Sequence, residues 1–167
     1  FINACSRKDL TATPDLHIPA GSSDTTKVTT ASRPIRIEAE NFSAMNGVQV
    51  EDCREGGKNV GYIAKGDWMD YSITVNASGS HENRFRVAGP RSTLQVQKPD
   101  GTVLATVTLP GTTSGQVYTT ATGKVDLKAG KQTLRIYAVT AAWNFNWWEY
   151  TDEVATVTPP EEQITDS

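Results

Sequence analysis

Trp68-Met69-Asp70-Tyr71-Ser72-Ile73-Thr74-Val75 carries the clearest signal of the fold. Met69, Tyr71, Ile73 and Val75 alternate with Asp70, Ser72 and Thr74, so the apolar set returns at every second residue. Successive side chains of a β-strand point to opposite faces. A period of two therefore reads as a strand with one face on a core and the other in water. The β-branched and aromatic members suit a pleated, half-buried surface.

The same period extends outward. Upstream, Ile35, Ile37 and Ala39 alternate with Arg36, Glu38 and Glu40. Downstream come Phe85/Val87, Leu94/Val96, Val103/Ala105/Val107, Val125/Leu127 and Leu134/Ile136/Ala138, with Trp148 and Tyr150 on the core side of a last strand. Turn signals separate the runs: Ser78-Gly79, Gly89-Pro90, Pro99-Asp100-Gly101, Pro110-Gly111 and Ala129-Gly130. About nine short strands at this spacing predict an all-β fold, a two-sheet antiparallel β-sandwich. No helical period and no internal repeat is visible.

The ends read differently. Residues 1–32 are polar and carry the run Asp24-Thr25-Thr26-Lys27-Val28-Thr29-Thr30, and residues 153–167 carry Pro159-Pro160 and acids. Both read as tails or linkers around a sandwich at 33–152, as in a module cut from a longer protein. The 167 residues suffice for one domain with its own core. Lys plus Arg number 16 against 19 Asp plus Glu, a net charge of −3. That balance offers no basic footprint for nucleic acid or an anionic membrane and suits a neutral partner. No apolar run is long enough to cross a bilayer. Cys5 and Cys53 leave three readings open: a disulfide, free thiols, or lipidation of Cys5. Asn41-Phe42-Ser43 and Asn76-Ala77-Ser78 are formal glycosylation sequons.

Catalytic sets are scarce. His17 falls in a tail and His81 beside a turn, so no Ser/His/Asp or Cys/His constellation is expected, and no metalloprotease or phosphate-loop motif occurs. The chain reads as no enzyme. Its aromatic residues are more informative. Tyr71, Trp148 and Tyr150 have core parity, whereas Tyr62 and Trp143 stand beside loops and outside the alternation. An aromatic plane suits the C–H face of a sugar, and amides or carboxylates suit its hydroxyl rim. Asn144 and Asn146 supply amides next to Trp143 and share the parity of Trp148 and Tyr150.

Six motifs then occur in order: Ile37-Glu38-Ala39-Glu40-Asn41-Phe42, Gly47-Val48-Gln49-Val50-Glu51, Asn59-Val60-Gly61-Tyr62-Ile63, Gly66-Asp67-Trp68-Met69-Asp70-Tyr71, Ala129 to Ile136, and Asn144-Phe145-Asn146-Trp147-Trp148-Glu149-Tyr150. Together they resemble a family 6 carbohydrate-binding module over Ile35 to Tyr150. The resemblance implies a β-jelly roll, the non-catalytic module of a secreted glycoside hydrolase, whose cleft lies in the loops at one edge of the sandwich. A second cleft on the concave face occurs in some members. It implies Tyr62 as the stacking ring and Glu51 and Asn146 as polar contacts, with Asn144 beside them. Many members place a Trp opposite the Tyr, and Gly115 stands where it would align; Trp143 is the candidate replacement. A structural Ca2+ is also implied, with Glu38 and Glu40 as oxygen ligands and Glu149 or Asp152 completing the site. The expected partners are a polysaccharide and a covalently linked catalytic domain, with the module a monomer outside the cell. Xylan is the first choice, followed by β-1,3-glucan, mixed-linkage glucan and agarose. The alternative is a cell-surface adhesion module for glycans or proteins with no enzyme attached.

Overall fold

The stretch around Tyr71 is a strand: Met69, Tyr71, Ile73 and Val75 are buried and Ser72 and Thr74 exposed as expected, but Asp70 is buried too, held by Arg135 Nε (2.7 Å) and Nη2 (2.9 Å). In this computed structural model, residues 27–158 are described, and every element among them is a strand. In chain order these are β1 (Lys27–Glu38), β2 (Ala44–Asn46), β3 (Gln49–Asp52), β4 (Lys58–Gly61), β5 (Trp68–Val75), β6 (Gly79–Ala88), β7 (Ser92–Gln97), β8 (Val103–Leu109), β9 (Tyr118–Leu127), β10 (Gly130–Ala138) and β11 (Asn144–Thr158). They build two sheets, β3-β4-β11-β6-β9 with β1 also on β11, and β2-β5-β10-β7-β8. Both terminal strands overrun the expected limits of 33–152, because β1 begins at Lys27 and β11 ends at Thr158. The compact unit covers Thr30–Thr156, and the outermost residues of β1 and β11 fall outside it. The readings of Cys5 and of the outer parts of both tails lie outside the described residues. Cys53 is buried as a free thiol.

Aromatic side chains fill the space between the sheets. Trp148 stacks on Phe85 with ring centroids 6.2 Å apart, and Tyr71 meets Trp148 edge-on at 5.7 Å. The hydroxyls of Tyr71 and Tyr150 donate to the carbonyls of Ala39 (2.6 Å) and Thr74 (3.0 Å), so their polar ends are satisfied where the rings are buried. His81 is buried too, its Nδ1 2.6 Å from the Thr151 carbonyl and its Nε2 2.8 Å from that of Ala77.

One irregularity sets the side-chain directions at the start of β11. The β11–β6 register shifts between Phe145 and Trp147, which is a β-bulge. The extra residue breaks the alternation of β11. Phe145, Trp148 and Tyr150 are core residues, while Asn144 lies on the opposite side from all three. The expected shared parity of Asn144 with Trp148 is therefore corrected.

Candidate functional site

β3, β4 and the start of β11 lie side by side, with Glu51 opposite Asn59 and Phe145 opposite Val60. This register gathers Glu51, Asn59 and Asn144 at one edge of the sheet. Glu51 Oε1 accepts hydrogen bonds from Asn59 Nδ2 (3.0 Å), Asn144 Nδ2 (3.1 Å) and Gln116 Nε2 (3.3 Å). No hydrogen bond from the described residues reaches the second oxygen of Glu51 or the Oδ1 of Asn144. Both are acceptors suited to a hydroxyl donor. Gly61 makes the approach possible, because a Cβ there would stand 2.6 Å from Glu51 Oε1.

Tyr62 comes next along the chain. Its φ of 55° is left-handed, a region that L-residues occupy at a cost. This conformation separates it from buried Gly61 and Ile63 and leaves it 67% exposed. Among the described residues no other aromatic side chain is as open. Trp68 and Trp147 are half-buried, and each has a guanidinium over its ring: Arg135 at 3.7 Å and Arg36 at 3.9 Å. Tyr62 is thus the free aromatic surface, set beside a carboxylate–amide cluster. The arrangement can stack one apolar face and bond a polar rim.

Gln116 and Asn59 were not singled out in the sequence. Gln116 follows Gly115 in the loop before β9, where neither residue shows alternation or a chemical motif. Its Oε1 accepts from Arg54 N (2.9 Å) and its Nε2 also donates to Asn59 Oδ1 (3.2 Å). The loop is drawn in further because Asn144 Nδ2 donates to the Gly115 carbonyl at 2.6 Å.

Two expected cleft residues are placed elsewhere. Trp143 is 1% exposed, packs against Phe145 at 5.7 Å and donates its Nε1 to the Thr140 carbonyl. Ala142, with a left-handed φ of 69°, turns the chain so that the ring enters the core. Trp143 therefore cannot replace a second stacking wall. Asn146 sits in the bulge, 5% exposed, and donates to Glu55 Oε2 at 2.9 Å. Arg86 holds the same carboxylate through Nε (3.1 Å) and Nη2, and this above all lowers the pKa of Glu55. Asn146 belongs to that cluster and not to the one around Glu51.

The expected calcium ligands also divide. Glu149 Oε1 accepts from both Nε (2.9 Å) and Nη2 (2.7 Å) of Arg36. Asp152 is occupied by the backbone N–H groups of Asn76 (2.7 Å) and Glu153 (2.9 Å) and lies 4.0 Å from His81 Nδ1. Neither joins Glu38 and Glu40, and no group of three or more His, Cys, Asp or Glu suited to a metal occurs among the described residues. Glu38 and Glu40 themselves do form a pair. Burial, and next the charge of Glu40, raise the pKa of Glu38, with Arg36 opposing. Glu40 Oε2 is buried without a hydrogen-bond partner. An orphaned carboxylate oxygen beside a second carboxylate fits a hard cation.

Residues 38–152 match the sequence profile of the carbohydrate binding module (family 6). The C-terminal module of a marine laminarinase from Zobellia galactanivorans is 35% identical, with a TM-score of 0.68 over 72% of this chain and 100% of that one. A β-1,3-glucan-binding module from Bacillus halodurans is 31% identical, with a TM-score of 0.65 over 70% of this chain and 94% of that one. The clotting factor G alpha subunit of Tachypleus tridentatus is 37% identical over 117 residues, 66% of this chain. This chain spans only 17% of that protein. No helix of the described residues is long and apolar enough to cross a membrane. With the profile running from β1 to β11 and the jelly-roll sandwich matched in solved modules, the chain belongs to family 6 of the carbohydrate-binding modules.

Proposed function

We propose that this domain is a non-catalytic module that holds an attached glycoside hydrolase against a neutral β-linked polysaccharide outside the cell. The observation that carries the proposal is Tyr62, an exposed ring on a left-handed backbone beside the Glu51–Asn144 cluster. A sugar laid on this ring gains stacking contact and directs rim hydroxyls to Glu51 and Asn144. The ligand-facing groups are acceptors, and among the described residues Glu51 is bonded by amides and by no cationic side chain, so hydroxyl-rich neutral chains suit it better than polyanions.

Similar modules from a laminarinase and from a β-1,3-glucan binder move β-1,3-glucan ahead of xylan in this reading. Mixed-linkage glucan and agarose rank after them. A second reading is attachment to glycans with no hydrolase appended. It draws on the clotting factor subunit, a relative not named for a hydrolase. Titration calorimetry with laminari- and xylo-oligosaccharides tests the ligand class. Binding of the former with loss in Glu51→Ala supports the site, and indifference of both sugars to Glu51→Ala rejects it.

Calcium is proposed at Glu38 and Glu40 alone, as a structural ion whose remaining ligands are backbone carbonyls and water. Its charge would neutralise the half-buried carboxylate pair and raise stability by linkage.

A further inference from the structure

Among the described residues the cleft has one aromatic wall. Tyr62 is 67% exposed and makes no ring contact with another aromatic side chain among the described residues. Across the cluster the nearest chain is the loop before β9, and it arrives as Gly115. Asn144 Nδ2 binds the Gly115 carbonyl at 2.6 Å, and a Cβ on Gly115 would stand 3.2 Å from that same nitrogen. A side chain at this point of approach would need the Asn144 amide to give way by a few tenths of an ångström. The two Trp rings that are not in the core are half-buried, and each has a guanidinium over one face.

We propose that the cleft is an open shelf that binds neutral β-glycans bearing single-sugar branches as well as it binds linear ones. This rests on the reading of Tyr62 and Glu51 as the glycan site. A sugar on Tyr62 has one C–H face on the ring and its rim on Glu51 and Asn144, while its second face looks into water. A branch leaving on that side meets no second aromatic ring among the described residues and displaces solvent. A two-walled slot would instead need the branch to be absent, since there is no room for it between two rings. The open shelf gives up the second stacking surface and in exchange does not read the outer face of the chain.

Calorimetry on two matched pairs of oligosaccharides tests this. One pair is a linear β-1,3-glucan oligomer and the same oligomer with one β-1,6-linked glucose. The other is a linear xylo-oligomer and its arabinosyl-substituted form. For whichever backbone binds, the linear and branched Kd values should agree within about threefold, a difference well under 1.4 kcal/mol. Tyr62→Ala should weaken both by the same factor. Tighter binding of the linear member by more than that overturns the open shelf and leaves the glycan site standing, whereas branched binding that survives Tyr62→Ala overturns the shelf and the site at Tyr62 together. If no member of either pair binds, the reading of the site itself falls, and this inference with it.

Discussion

Tyr62 combines two properties that folding alone disfavours: a left-handed φ of 55° on a non-glycine residue and 67% exposure of a large ring. Strain of this kind persists where the surroundings fix it, and at binding sites it pre-organises a side chain. The consequence is a separable effect. Tyr62→Gly relieves the left-handed strain, about 1–2 kcal/mol, against a comparable loss of backbone entropy. Its melting temperature should not fall, while glycan affinity should drop by about 1–3 kcal/mol, as for other aromatic anchors. Thermal melts and calorimetry on the same preparation read both. Trp143 makes the opposite prediction. It is core, so Trp143→Ala should cost about 3–5 kcal/mol of stability, measured by denaturant unfolding. The sequence told these two apart poorly. Both stood by loops and outside the alternation, and only the turn at Ala142 sends one ring inward.

Among the strands, periodicity was legible wherever one face is apolar and the other polar, as in β5 and β10. It failed for β2, β3 and β4, which span 3–4 residues each and are too short to show a period. Yet β3 and β4 hold Glu51 and Asn59, and were reached only through motif resemblance. The bulge in β11 was invisible for a different reason. Bulges are a property of pairing between strands, and a parity argument along one strand cannot see the inserted residue. That is why Asn144 and Asn146 were grouped, although the structure gives them to different carboxylates. Gly61 is the position where strand pairing can be tested. Its φ is not left-handed, so Gly61→Ala is tolerated by the backbone, but the new Cβ would meet Glu51 Oε1 at 2.6 Å. The carboxylate must leave its three donors. Affinity should fall by about tenfold or more with the sandwich intact, by calorimetry and far-UV circular dichroism.

For the domain as a unit, the negative balance and the absence of a catalytic constellation pointed to a neutral partner and a binding role before any geometry was known. Of the carboxylates expected to hold calcium, Glu38 and Glu40 were read from their alternation in the sequence, and nothing in the sequence showed Arg36 taking Glu149. The pair sets a pH signature. Without metal, Glu38 binds its proton more tightly in the fold than in the unfolded chain, because burial and Glu40 raise its pKa. Its contribution is therefore full below the ordinary carboxylate range and is lost as pH rises through the raised value. Calcium should cancel that loss. A chelator is expected to lower the melting temperature at neutral pH, to have little effect under acid conditions, and to have none on Glu40→Gln.

If glycan binding passes through Tyr62, removing that one ring must weaken it by about 1–3 kcal/mol. Affinity gel electrophoresis of the wild type and Tyr62→Ala in gels containing laminarin or xylan decides the matter. The wild type should be retarded in at least one gel, laminarin first, and Tyr62→Ala should be retarded far less. Equal retardation of the two proteins would contradict a site at Tyr62 and place it on another face of the sandwich.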